Sequence, residues 1–288
     1  MGWKRGCGFR GWTRSIGAVA SVAALAGVMG CVPTPTAPTS RCNVQGLFLV
    51  CPHTTSTLYA GGEARQVHWA LPYGTPPAGG WPTVIMFQGS LFTAELTWFG
   101  NPAAPFGAYE QTQVVQRLLD FGFAVMTPEA HVNGLTFWDT NNVLVPDYLQ
   151  SGDHQLMLEL FRRIVDGTFG PLNGSRLAAT GISSGGYMTS RMALSYPGRF
   201  EALAIQSGSW ATCAGPLCDV PAIPAQHPPT LFLHGALDPI VPLFTMDLYR
   251  SKLQAAGVPT KRVVEPLALH RWIPQAPGEV TSWFLANV

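Results

Sequence analysis

The pentapeptide Gly181-Ile182-Ser183-Ser184-Gly185 constrains this chain more than any other stretch, because it joins an apolar run (176–180) directly to a helix-like run (187–196). A serine at the centre of such a strand, turn and helix sits on strained backbone. The positions two before and two after it must then be nearly free of side chain, and both are glycine. Ser183 fits that centre, whereas Ser184 would place Ile182 where a small residue is required. A glycine-rich helix start or a phosphate-cradling loop reads the same five letters, so the rest of the chain has to separate these readings.

Short apolar runs alternate with helical periods along the chain. Runs at 47–51 and 66–71, with Gly61-Gly62 between them, read as an opening antiparallel ribbon. Thr83-Val84-Ile85-Met86-Phe87 is a continuous apolar run of the kind buried on both faces of a parallel sheet. A helical period over 109–121, with Val114, Val115, Leu118 and Leu119 on one face, and a strand-like run at 123–127 complete a β-α-β crossover. The alternation continues through a helix over 155–165, the strand that carries the pentapeptide, and strands at 202–206, 231–234 and 263–267. It specifies an α/β architecture, a doubly wound, mostly parallel sheet with helices on both faces. With 288 residues, 47% of them hydrophobic and only 11% charged, the chain has material for one large core.

A nucleophilic serine needs a histidine to take its proton and a carboxylate to orient that histidine, and in this architecture both follow the serine, acid first. Asp238 follows the run at 231–234 within Ala236-Leu237-Asp238-Pro239-Ile240-Val241-Pro242, and His270 follows the last strand-like run. Asp219, in a cysteine loop, and Asp247, inside a helical period, are the other acids in range. His53, His68, His131 and His154 precede the serine, His227 precedes Asp238, and His234 sits in the turn before the acid, where packing or a backbone hydrogen bond suits it. Backbone N–H groups would meet the charge that develops on an attacked carbonyl. Ser184 is one matching position; Ser90, after Gln88-Gly89, is the other, with Leu91 its alternative. Trp98, Phe99 and Phe106, then Phe137 and Trp138, Trp210 and Trp272 fall near these positions and suit an apolar ligand, although core packing uses the same residue types.

Residues 1–30 read as an export signal, with Lys4, Arg5, Arg10 and Arg14 ahead of an alanine-rich apolar stretch at 16–29. Val28-Met29-Gly30-Cys31 resembles a bacterial lipobox, with Met29 where a small residue is usual. Lipid modification of Cys31 would anchor the chain to a membrane, and ordinary signal cleavage with secretion is the rival. A Pro/Thr-rich spacer at 31–41 then leads to a single catalytic domain at 42–288. Setting Cys7 and Cys31 aside leaves two close pairs, Cys42 with Cys51 and Cys213 with Cys218; two short-loop disulfides are the simplest of three connectivities. These spacings do not suit a metal site, and neither metal nor cofactor is expected. A net charge of +1, with no basic run beyond the first residues, gives no footprint for nucleic acid.

Taken together, Gly181-Ile182-Ser183-Ser184-Gly185-Gly186-Tyr187-Met188, Leu233-His234-Gly235 with Asp238, and His270-Arg271-Trp272 resemble the extracellular polyhydroxyalkanoate depolymerases of the α/β-hydrolase superfamily. The likeness covers about 65–288. The Gly-Ile-Ser-Ser-Gly box, with no separate substrate-binding domain after it, is more similar to the medium-chain-length type. The resemblance implies an exported serine esterase that cleaves an aliphatic polyester through an acyl-enzyme. Feruloyl, acetylxylan and general carboxylesterases share the fold and the residue order. A surface lipoprotein that binds an apolar partner without turnover is the non-enzymatic reading. Gln88 stands where many relatives have histidine.

Overall fold

Two short strands, β1 (Asn43–Gln45) and β2 (Phe48–Val50), pair antiparallel around Gly46 and open the folded chain. The structure, a computed structural model, describes residues 40–131, 137–141, 147–211, 213 and 218–288. The export signal, Cys31 and the spacer before residue 40 lie outside these residues.

The ribbon differs from the sequence expectation. The run at 66–71 pairs with 54–60, not with 47–51: β3 (Thr54–Ala60) and β4 (Glu63–Ala70) form the hairpin, with Gly61 and Gly62 as its two-residue turn. Both glycines have positive φ, +62° and +82°, as the tightest hairpin turn demands. β3 is a mostly exposed edge strand of threonines and serine, so no apolar pattern announces it. The residues at 48–50 instead join a small three-stranded sheet, completed by a two-residue strand described below.

The main sheet adds β5 (Trp81–Phe87), which is buried along its whole length. After the short β6 (Phe99–Gly100), which belongs to the small sheet with β1 and β2, come β7 (Ala124–Pro128), β8 (Leu172–Ile182), β9 (Ala202–Gln206), β10 (Thr230–Gly235) and β11 (Thr260–Glu265). Their order is β11-β10-β9-β8-β5-β7-β4-β3. Pairings are parallel from β11 to β7 and antiparallel at β7–β4 and β4–β3.

Strand alternation assigns the helices to faces. Val84 and Met86 point to the core under α1 (Ala108–Asp120) and α5 (Ala276–Asn287), while Ile85 and Phe87 point to the core under α2 (Gly152–Val165) and α3 (Ser184–Ser195). On the same face as α3, α4 (Leu243–Ala255) packs Met246, Tyr249 and Leu253 against Ile205 and Phe232. The chain leaves β5 toward β7 and returns to β8 on the other side of β5. At such a switch the loops beyond neighbouring strand ends diverge and open a crevice. Here the crevice lies beyond Phe87 and Gly181, which are paired in register.

Disulfides join Cys42 to Cys51 and Cys213 to Cys218. The first closes the β1–β2 hairpin, and Cys51 N–H also donates to Trp98 O at 2.8 Å, so it braces the small sheet.

Candidate active site

Ser183 occupies the turn between β8 and α3 with φ 56° and ψ −123°. Backbone contacts hold it there: its N–H donates to Gln206 O at 3.1 Å, and Tyr187 N–H donates to its carbonyl at 3.0 Å. The flanking glycines are sterically required. A Cβ on Gly181 would lie 2.5 Å from Gly185 O, and one on Gly185 would collide with Phe87 O. Among the described residues, Leu91, Phe106, Ser183 and Ser207 are the non-glycines with positive φ, and the first three line one cavity. Backbone strain of this kind gathers where a surrounding fold enforces a functional geometry.

His270 and Asp238 meet across the loops after β11 and β10. His270 Nδ1 donates to Asp238 Oδ2 at 2.8 Å, and both residues are buried. The other carboxylate oxygen, Oδ1, accepts from Ile240 and Val241 N–H, each at 2.9 Å. Burial works to raise the Asp238 carboxyl, but the bonds from His270 and from these backbone amides outweigh it and hold the group below the usual carboxylate value. His234 makes the backbone bond its position suggests, donating Nε2–H to Val241 O at 2.9 Å, and its burial lowers its pKa. Asp247, in α4, pairs with Arg262 at 2.8 Å instead. Ser183 and His270 line the same cavity.

Ser184 opens α3, so its N–H has no acceptor within the helix. Its hydroxyl accepts from Trp138 N–H at 3.0 Å. Ser90 and Leu91 form the turn after β5 and line the cavity beside Gly89. Gln88 fastens that turn: its side-chain amide donates to Phe92 O and, at 3.1 Å, to Glu129 Oε1, while Glu129 Oε2 accepts from Ala94 N–H at 2.8 Å. Burial raises the Glu129 pKa against these bonds. Gln88 thus anchors the loop through its side chain.

The cavity has a volume of about 380 Å³. Phe48, Phe92, Leu96, Phe99, Phe106 and Trp272 contribute to its apolar wall, and among the described residues no Asp, Glu, Lys or Arg lines it. Gln111 and Thr97 supply polar lining and are hydrogen-bonded to each other at 3.1 Å. Phe99 and Trp272 therefore lie where the sequence suggests, but three other tryptophans do not. Trp98 is fully buried, donates Nε1–H to Thr127 Oγ1 at 2.7 Å and packs on the His53 ring. Trp138 is buried against Phe87 and donates Nε1–H to Gln88 O at 3.0 Å, bracing the loop rather than lining the cavity. Trp210 packs between Tyr249 and the Arg191 guanidinium. An indole buries its large apolar area as readily in the core as against a ligand, so a loop tryptophan's direction is not encoded locally.

Gln206 has no counterpart in the sequence reading. It is fully buried at the end of β9; its amide donates to Arg271 O at 2.7 Å and its Oε1 accepts from Ile273 N–H at 3.3 Å. Because its own carbonyl accepts from Ser183 N–H, this one residue connects the serine turn to the loop of His270. Among the described residues, His131, Asp139 and Asp153 bring metal-type ligand atoms within 4.8 Å of one another. The Arg65 guanidinium already lies against Asp153 and, at 3.0 Å, against His131, so this is a buried ion-pair cluster with its positive charge in place.

The sequence is 47% identical over 259 residues to the poly(3-hydroxyoctanoate) depolymerase of Pseudomonas fluorescens, covering 86% of this chain and 91% of that protein. It is 35% identical to feruloyl esterase B of Thermothelomyces thermophilus over 107 residues, which is 37% of this chain and 35% of that protein. Among solved structures, a thermostable esterase superposes with a TM-score of 0.57 at 20% identity, over 82% of this chain and 63% of that one, a likeness of fold. No family model matches the sequence.

Proposed function

Because this chain belongs to the polyhydroxyalkanoate depolymerase family and is a carboxylic-ester hydrolase of the α/β-hydrolase fold, we propose that it cleaves an extracellular aliphatic polyester of medium-chain 3-hydroxy acids with Ser183, His270 and Asp238 as its catalytic triad. His270 Nε2 takes the Ser183 proton as Oγ attacks the ester carbonyl, and Asp238 keeps the imidazole in the tautomer that leaves Nε2 free. The N–H groups of Ser184 and Ser90 receive the oxyanion. Collapse forms the acyl-enzyme and expels the alcohol end of the polymer, protonated by His270. Water activated by the same nitrogen then releases the acid.

The observation that carries the substrate reading is the uncharged cavity that Ser183 and His270 both line. An alkyl side group seated there gains about 0.8 kcal/mol per buried methylene, close to fourfold in binding, until the space is filled. Release of 3-hydroxy acids from emulsified poly(3-hydroxyoctanoate) is therefore expected to exceed release from poly(3-hydroxybutyrate) several-fold, with a gradient rather than a cutoff between them. Faster release from the short-chain polymer would refute the preference. Release from neither, with rapid cleavage of feruloyl or acetyl esters, would move the assignment to those esterases.

The two disulfides fit an oxidising compartment. The basic and apolar leader at 1–30, the lipobox-like end at Cys31 and the spacer at 31–41 support export as a lipoprotein, with the catalytic domain at 42–288 held off a membrane. Intact-mass analysis of membrane-extracted protein is expected to give a chain starting at a lipid-modified Cys31; an unmodified terminus beyond it would establish ordinary secretion.

A further inference from the structure

The loops that carry Asp238 and His270 present four large aliphatic side chains to solvent. Leu237 and Ile240 lie on one loop and Leu267 and Leu269 on the other, between 54% and 81% exposed. The loops are bonded to each other, Leu237 N–H to Ala268 O at 3.0 Å and Ala236 N–H to Glu265 O at 2.9 Å, as well as through His270 and Asp238. Across 236–242 and 266–270 the acidic and basic residues are Asp238 and His270, which are bonded to each other and buried. Single exposed leucines are ordinary on a protein surface; four on two joined, otherwise uncharged loops form a patch.

Ile240 belongs both to this patch and to the cavity lining, so the patch runs into the cavity. Leu91 also lines the cavity. It is held at φ 69°, a conformation unfavourable to any residue with a side chain, and is 70% exposed. The continuity also decides what covers the patch. A second protein seated over Ile240 would cover part of the cavity lining, whereas a substrate surface has to arrive there.

We propose that Leu237, Leu267 and Leu269, with Ile240 at the inner edge, form an adsorption surface for a water-insoluble, uncharged polyester, separate from the cavity that takes the segment to be cut. The inference rests on the polyester reading of the site. A solid polyester offers alkyl groups and ester carbonyls without net charge, so contact needs apolar area and no counter-charge.

The test uses the triple variant Leu237→Ser, Leu267→Ser, Leu269→Ser in the full chain. With Ser183→Ala added, adsorption isotherms on poly(3-hydroxyoctanoate) particles are expected to weaken by about tenfold or more. In the active background, polymer degradation is expected to fall in parallel while hydrolysis of soluble p-nitrophenyl butyrate stays within about twofold, since no exchanged residue lines the cavity. If the triple variant folds poorly, seen as lost soluble-ester turnover, the single Leu→Ser exchanges carry the same comparison. Unchanged adsorption by a variant whose parent degrades polymer overturns the adsorption surface alone. A parent that cleaves soluble esters but neither adsorbs to polymer nor cleaves it overturns the polyester reading and the adsorption surface with it. A dimer that sediments in the parent and dissociates in the variant, with adsorption unchanged, reassigns the patch to self-association.

Discussion

Alanine in place of Ser183 is expected to lower ester turnover by on the order of 10⁴-fold or more, with no rescue from the serine beside it. Ser184 lies inside the first turn of α3, and its hydroxyl is bonded to Trp138 N–H. The turn itself should survive the exchange, because the bonds to Gln206 and Tyr187 that hold residue 183 are backbone bonds and alanine keeps the same Cβ. Loss of activity with an unchanged thermal transition therefore reports chemistry. Adding His270→Ala should reduce the rate little further, since the base has no proton to take once the hydroxyl is gone. Initial rates on a soluble p-nitrophenyl ester decide the matter; a Ser183→Ala enzyme within about tenfold of wild type would put the nucleophile elsewhere.

Asp238→Asn should cost about 10³- to 10⁴-fold, and the hydrogen bonds say why. Two N–H groups, from Ile240 and Val241, claim the Oδ1 position. An asparagine must put its oxygen there, which turns its amide NH₂ toward His270 Nδ1. That nitrogen becomes an acceptor, the proton moves to Nε2, and the face offered to Ser183 can no longer accept one. Folding should respond to pH as well. A carboxyl held below its unfolded value of about 3.9 contributes its full stabilisation above that value and loses it as pH falls through the lower folded value. Urea unfolding of wild type and Asp238→Asn should thus show a stability gap that narrows from about pH 5 to about pH 2. A gap independent of pH would mean that the carboxylate charge contributes nothing to the fold.

The sheet was legible because fully buried parallel strands such as β5 have no polar face and read as unbroken apolar runs. The pairing of Asp238 with His270 was legible for a related reason: each follows a strand end, and chain order limits which strand ends can meet. Other parts carry no such mark. β3 opens with Thr54, Thr55, Ser56 and Thr57 and is mostly exposed, so no apolar run marks it, and α5 sets the half-exposed Leu285 directly beside its buried Phe284, which blurs the helical stripe. Gln206 and Glu129 are single polar residues at apolar strand ends, and only the fold reveals which distant backbone groups they satisfy. The misplaced tryptophans share one cause. Sequence fixes that an indole will be buried, while the direction in which its loop turns decides against what.

The cavity is assembled from separate stretches of chain. Phe48 and the residues from Leu96 to Gln111 supply apolar wall, the turn at 88–93 follows β5, and Ser183, Ile240, His270 and Trp272 come from the half that carries the proposed catalytic groups. Their principal seams are backbone bonds and buried amides, such as Trp272 N–H to Phe106 O at 2.9 Å, which tolerate changes of side chain on the wall. Substrate preference can therefore drift by substitution between residues 96 and 111, beyond the turn of Gln88 and Ser90, while the reacting groups stay in register. For an engineer, that segment is the unit to exchange between relatives; for evolution, it is the stretch on which a new polymer can be tried without losing the old chemistry.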